Sequence, residues 1–115
     1  ILLELKVTKG NTKEDVQTLV KKLNDFARAN EPNTYDYTYF ISENGKRVFL
    51  VEKYLSSADM VLHANNFEGG PNFAPFMKMF EIDKFIIAGN ATKELKELLK
   101  AYPIEYRTSV GGWIY

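Results

Sequence analysis

One histidine, one mid-strand glutamate and a run of tyrosines are the residues whose types suit acid–base chemistry here. His63 is the sole histidine of the chain, and histidine alone titrates near neutrality when unperturbed. Beside a phenol or quinol it would serve as a general base, making the substrate electron-rich enough to donate to O2. Among carboxylates the same ring is a structural brace that fastens a helix to a sheet. Glu52 falls in a segment that is otherwise largely apolar, and carboxylates are seldom buried without partners. It is a candidate to orient His63, to raise its pKa or to bind a substrate hydroxyl; a satisfied cluster of Glu52, Tyr37 and His63 that fixes strand register is the structural alternative. Tyr37 and Tyr39, with Tyr35, Tyr54, Phe73 and Phe76, could line a flat pocket for an aromatic ligand or form ordinary core. Asn66, with Asn65, is placed to donate to a ligand oxygen or to close a helix end. Arg107 and Trp113 either complete the pocket or dock on a partner subunit.

The segment that positions most of these groups is Tyr35–Tyr54. Asn44-Gly45 is a strong hairpin signal, and a two-residue type I′ turn would put both residues at positive φ. Counting outward pairs Glu43 with Lys46, Ile41 with Val48, Tyr39 with Leu50, Tyr37 with Glu52 and Tyr35 with Tyr54. On the other face Phe40 meets Phe49, Thr38 meets Val51 and Asp36 meets Lys53, favourable aromatic and charge pairings. Both faces are largely apolar, whereas an antiparallel hairpin usually wets one. Helices of the same chain cover one side; a second copy of the chain is expected on the other.

Around the hairpin, Ile1–Thr8 alternates as a strand. Thr12 caps a helix carrying Val16, Leu19, Val20, Leu23, Phe26 and Ala27 on one stripe, and the helix ends before Glu31-Pro32. Ser56 and Asp59 open a second helix with Ala58, Val61, Leu62 and Phe67 as its expected buried face. Gly69-Gly70-Pro71 breaks it, and residues 73–80 continue as a short helix. Residues 82–88 read as a strand, Thr92 caps a further helix, and residues 104–108 form a last short strand before Gly111-Gly112 and an aromatic tail. The order specifies an α+β fold: a ferredoxin-like βαββαβ sheet (core 1–89) with a C-terminal helix and strand (90–115), as one domain.

Composition narrows the function. The 115 residues carry no net charge, which speaks against nucleic acid as a main partner. With 45% hydrophobic and 26% charged residues the composition is that of a globular domain. The chain has no cysteine, so thiolate metal sites are out, and a single histidine rules out a multi-histidine metal site within one chain. No apolar run reaches the length of a membrane span, and a cytoplasmic location is the expectation.

The stretch EPNTYDYTYFISENGKRVFLVEKYLSSADMVLHANNF resembles the antibiotic biosynthesis monooxygenase-like family of dimeric α/β barrels. The matching positions are Pro32, Tyr37, Asn44-Gly45, Glu52, Tyr54, Ala58 and His63. The later IIAGNATKELKELL and GGWI are similar to the tail of a longer subgroup described as quinol monooxygenases. The resemblance implies a homodimer that oxidises a small electron-rich, quinol-like aromatic with O2, without metal or flavin cofactor. It would use His63 and Glu52 as catalytic groups, with Tyr37, Tyr39, Asn66 and Phe76 binding the substrate. A non-catalytic, ligand-binding or stress-related dimer on the same scaffold is the alternative. The family's heme-degrading branch has an Asn on the first strand and a Trp and a His on the second helical region. Here Leu3 falls at the Asn position and His63 nearest the Trp position, with no later histidine, which argues against heme.

Overall fold

The computed structural model of the chain describes residues 1–114. The elements run β1 (Leu2–Val7), α1 (Lys13–Asn30), β2 (Thr34–Ile41), β3 (Arg47–Tyr54), α2 (Ser57–Glu68), α3 (Phe73–Met79), β4 (Phe80–Ala88), α4 (Lys93–Leu98) and β5 (Glu105–Arg107). The strands form one mixed five-stranded sheet in the order β2-β3-β1-β4-β5. The β1, β2, β3 and β4 pairings are antiparallel, and β5 joins β4 in parallel. No helix among the described residues is long and apolar enough to cross a membrane.

The helices start and stop where local chemistry requires. Thr12 and Asp15 form a reciprocal capping box on α1, satisfying backbone donors at its exposed first turn. Ser56 and Thr92 cap α2 and α4 with a single backbone bond each, their hydroxyl oxygens accepting from Asp59 N–H and Leu95 N–H. Val16, Leu19 and Leu23 of α1 pack with Leu3, Leu5, Val48, Leu50, Phe76 and Phe80 in the main core. A second cluster, Met60, Ala64, Ile87, Leu95 and Leu99, holds α2 and α4 over the other end of the sheet.

The hairpin register is the expected one from Asp36–Lys53 to Ile41–Val48, yet its turn is different. Ser42 N–H donates to Arg47 O and Gly45 N–H to Ser42 O, both at 2.9 Å, so the loop has four residues. Within this turn only Gly45 takes positive φ, at 73°, and no non-glycine among the described residues does. Asn44 instead accepts from Ser42 Oγ (2.7 Å) and Lys46 N–H (3.0 Å) with its side-chain oxygen. A four-residue loop preserves the alternation of a two-residue one, so the faces agree while the Glu43–Lys46 pair is absent. At the far end a bulge pairs Thr34 with Tyr54, and Tyr35 turns outward to 56% exposure instead of joining the inner face.

Two more expectations are corrected. Phe80 opens β4 rather than closing α3, because its backbone is extended (φ −124°, ψ 143°). On α2, Ala58 and Leu62 face solvent, and Met60, His63 and Ala64 are buried. Positions 60, 63, 64 and 67 follow the i, i+3, i+4, i+7 spacing of a helix face, with the histidine inside the stripe.

The sheet's second face carries no helix. Phe40 and Phe49 stand opposite one another there at 56% and 36% exposure. Beside them Arg47 binds Glu4 (3.1 Å) and Asp83 (2.7 Å).

Candidate functional site

Three elements converge beneath α2. The Pro32 ring forces Glu31 out of helical geometry (φ −134°, ψ 85°), and Glu31 becomes a buried α1 cap at 4% exposure. Glu52 projects from interior strand β3, on the same face as Val48 and Leu50, at 3% exposure. His63, at 8%, descends from α2 between them. Its Nδ1 lies 2.6 Å from Glu31 Oε1 and its Nε2 3.1 Å from Glu52 Oε1.

Outer groups complete the array. Glu31 Oε1 also accepts from the Thr34 hydroxyl (3.1 Å), and Glu52 Oε1 accepts a hydrogen bond from the Tyr54 hydroxyl. The rings of Tyr37 and Phe67 hold the imidazole on two sides, Tyr37 edge-on at 5.4 Å and Phe67 parallel at 6.1 Å. The Tyr37 hydroxyl turns to Tyr39 (2.9 Å) rather than to Glu52.

The electrostatics follow from that enclosure. Burial by itself would lower the His63 pKa; the bonds to Glu31 and Glu52 outweigh it and raise it from 6.5 to about 10. Burial would likewise push the Glu52 carboxyl up, but the His63 bond and charge, with Tyr54, hold it below the usual carboxylate range. Burial and the negative charge of Glu52 raise Tyr54 and Tyr37, so both phenols stay neutral. At neutral pH the site is therefore an imidazolium that binds an ionised Glu52 through one ring nitrogen and the Glu31 side chain through the other. Such a ring has no vacant nitrogen and already holds its proton, so the group with spare accepting capacity is Glu52.

Glu52 and His63 stand on the wall of a cavity of about 60 Å3. The rest of its lining is nearly all apolar and includes Leu3, Leu50, Phe76 and Phe85. Exposed Glu68 and Met77 with half-buried Tyr102 mark where it approaches solvent, and the Tyr102 hydroxyl donates to Glu68 Oε1 at 3.2 Å. Of the residues singled out in the sequence, His63, Glu52, Tyr37 and Phe76 meet at this cavity. Asn66 lines a recess of about 10 Å3 shared with Glu31, His63 and Tyr37. Tyr39 is in a groove beside α1 and stacks on Phe80. Arg107 pairs with Glu105 (2.8 Å), and Trp113 is exposed; neither lines the cavity. Tyr115 is outside the described residues.

Glu31 and Tyr54 were not singled out in the sequence as partners of this array. The signal for Glu31 was slight, an acid fixed before a proline at a helix end, and it lies 32 positions from His63. Among the described residues no three His, Asp or Glu side chains are arranged to hold a metal ion.

No family model matches the chain, and no curated protein matches it by sequence. Its fold is similar to that in the crystal structure of MupZ from Pseudomonas fluorescens, with a TM-score of 0.81. The match covers 99% of this chain and 86% of that one at 10% identity, a likeness of fold alone.

Proposed function

We propose that this chain is a cofactor-independent monooxygenase of the antibiotic biosynthesis monooxygenase-like kind, oxidising a small quinol-like aromatic. The observation that carries the reading is an ionised carboxylate, Glu52, kept so by a buried imidazolium on the wall of an otherwise apolar cavity. A few convergent polar groups in an apolar concavity are the usual make-up of a small-molecule site. Glu52 accepts the proton of the substrate hydroxyl, and His63 holds Glu52 in place and offsets negative charge that develops nearby. Glu31 acts through His63 as a positioning residue. The balance is that of a phenol going to a quinone. One oxygen atom of O2 replaces the ring hydrogen, and the other leaves as water with that hydrogen and the phenolic proton.

The test is O2 uptake with a panel of quinols. Wild-type protein should consume O2 with at least one of them, and Glu52→Gln should reduce the rate by about 10²-fold or more, the usual contribution of a positioned base. A folded wild-type protein that consumes none would leave the non-catalytic, ligand-binding reading. The cavity, at about 60 Å3, is smaller than the ~150 Å3 of an apolar cavity that accepts benzene. A ring enters here only as Met77 and Tyr102 give way.

The ferredoxin-like strand order, with helices on one face, also suits a dimeric α/β barrel. A second copy would cover Phe40 and Phe49. Sedimentation should then give twice the protomer mass at micromolar concentration, and Phe40→Glu should give the protomer mass. Substituting an exposed site costs the isolated fold little, about 0.5 kcal/mol or less, so the effect falls on association. A wild-type protein sedimenting as a lone protomer would dispose of the dimer.

A further inference from the structure

We propose that Tyr102 is the gate of the cavity and sets the size of ligand it admits, with Glu68 as its latch. The inference takes its site from the proposed function but concerns entry and binding, not turnover. Most of the wall is fixed. Leu3, Leu50 and Phe76 belong to the main core and Met60, Ala64 and Leu99 to the second cluster, and such close-packed side chains move only with their neighbours. On one side Ile1, Glu52 and Met60 part the cavity from a groove of about 730 Å3. That partition is tied down as well. Ile1 and Glu52 exchange two backbone bonds (2.8 and 3.0 Å), and the Glu52 carboxylate is held by His63 and Tyr54.

Tyr102 is different. It lies in the turn between α4 and β5, with its backbone bonded on both sides: its N–H donates to Leu99 O (3.0 Å) and its carbonyl accepts from Ile104 N–H (2.9 Å). The chain is pinned there, and the half-buried side chain is the part left to turn. The ring leans on Phe85 at 5.9 Å, and its hydroxyl donates to Glu68 Oε1 at 3.2 Å. Glu68, the last residue of α2, is exposed, so this bond exchanges readily with water and holds the ring only weakly. It ties the end of α2 to the turn after α4, and both line the cavity. Met77, 42% exposed on the same lining, is an unbranched side chain that repacks readily. Closed, the space of about 60 Å3 has no room for a ring. With the Tyr102 ring swung out, it gains the volume of one aromatic ring beside Phe85 and Leu99, because packed surroundings collapse only in part on a vacated site. The guest that fits is then a single ring.

The test is NMR titration of the whole chain with toluene, reading affinity and association rate from the shifts and line shapes of the cavity residues. Tyr102→Ala, which removes the gate, should bind toluene at least about tenfold more tightly than the wild type. Tyr102→Phe and Glu68→Ala keep the ring and undo the latch. Each should raise association rate and affinity together by about three- to tenfold, since the time the site spends closed weakens binding in proportion. The two combined should do no more than either alone, because they break one bond. Tyr102→Ala binding no better than the wild type, or no binding of toluene to any form, would overturn the proposal. So would latch variants that behave as the wild type or add up when combined. The latch variants decide the matter if Tyr102→Ala does not fold. Absence of O2 uptake with quinols would count against the oxygenase reading and leave the gate standing; uptake with association unchanged in the latch variants would do the reverse.

Discussion

His63→Leu is expected to lower the folding free energy at pH 7 by about 3–5 kcal/mol, the usual cost of removing one partner from a buried ion pair. Leucine is apolar and of comparable bulk, so much of the contact with Tyr37 and Phe67 is retained and the loss is chiefly electrostatic. Glu31 and Glu52 would then stand buried without the cation that each now binds through one ring nitrogen. Urea unfolding at matched slope measures the loss. Lowering the pH toward 4 should shrink the difference between variant and wild type, because the stranded carboxylates become neutral by taking up protons. Adding Glu31→Gln and Glu52→Gln to the variant should restore much of the stability, since a whole buried charge array can often be replaced at little cost while half of it cannot. A loss under about 1 kcal/mol would mean that water reaches the carboxylates and the array is not a sealed one.

Where the sequence was informative, the information was local. The Asn44-Gly45 turn and the Phe40–Phe49 and Asp36–Lys53 pairs were enough to give the register of β2 against β3. The turn has four residues rather than the expected two, and the register is the same because four loop residues keep the parity of two. The helix caps at Thr12, Ser56 and Thr92 were legible because they involve residues three apart. The α2 face was not. Leu62 is more apolar than His63, so a hydropathy reading turns the helix toward Leu62. In the fold, the pairing of His63 with two buried acids decides the orientation, and those acids come from α1 and β3. Glu52 could be suspected as an acid in an apolar strand, whereas Glu31 offered only its place before Pro32 at a helix end. Its burial follows from Pro32 redirecting the chain after α1, which no periodicity encodes. The size of the cavity was likewise out of reach, because it depends on how Phe76 of α3, Phe85 of β4 and Tyr102 of the turn after α4 pack together.

The same array makes stability depend on pH in a stated direction. His63 has its pKa raised from 6.5 to about 10 on folding, so its contribution is complete below about 6.5 and is lost as the pH rises through about 10. At 1.36 kcal/mol per pH unit the gap converts to at most about 5 kcal/mol. Glu52 acts from the other side: its folded pKa is lowered from 4.5, so its contribution is present above that value and fades as the pH falls through the folded one. The two together place the greatest stability from this array between about pH 4.5 and 6.5. Tyr37, Tyr39 and Tyr54 are raised by burial first and then by their charged or phenolic neighbours, so at high pH they act in the same direction as His63. Urea unfolding at pH 6, 8 and 10 should show falling stability across the series in the wild type. His63→Leu should show little change between pH 6 and 8. The NMR signals of the single histidine provide the independent check, and they should hold the shifts of a protonated ring from pH 5.5 to 8.5. A titration midpoint near 6.5 would instead mean a ring that water reaches, and would return to His63 the role of proton acceptor that its two carboxylates otherwise deny it.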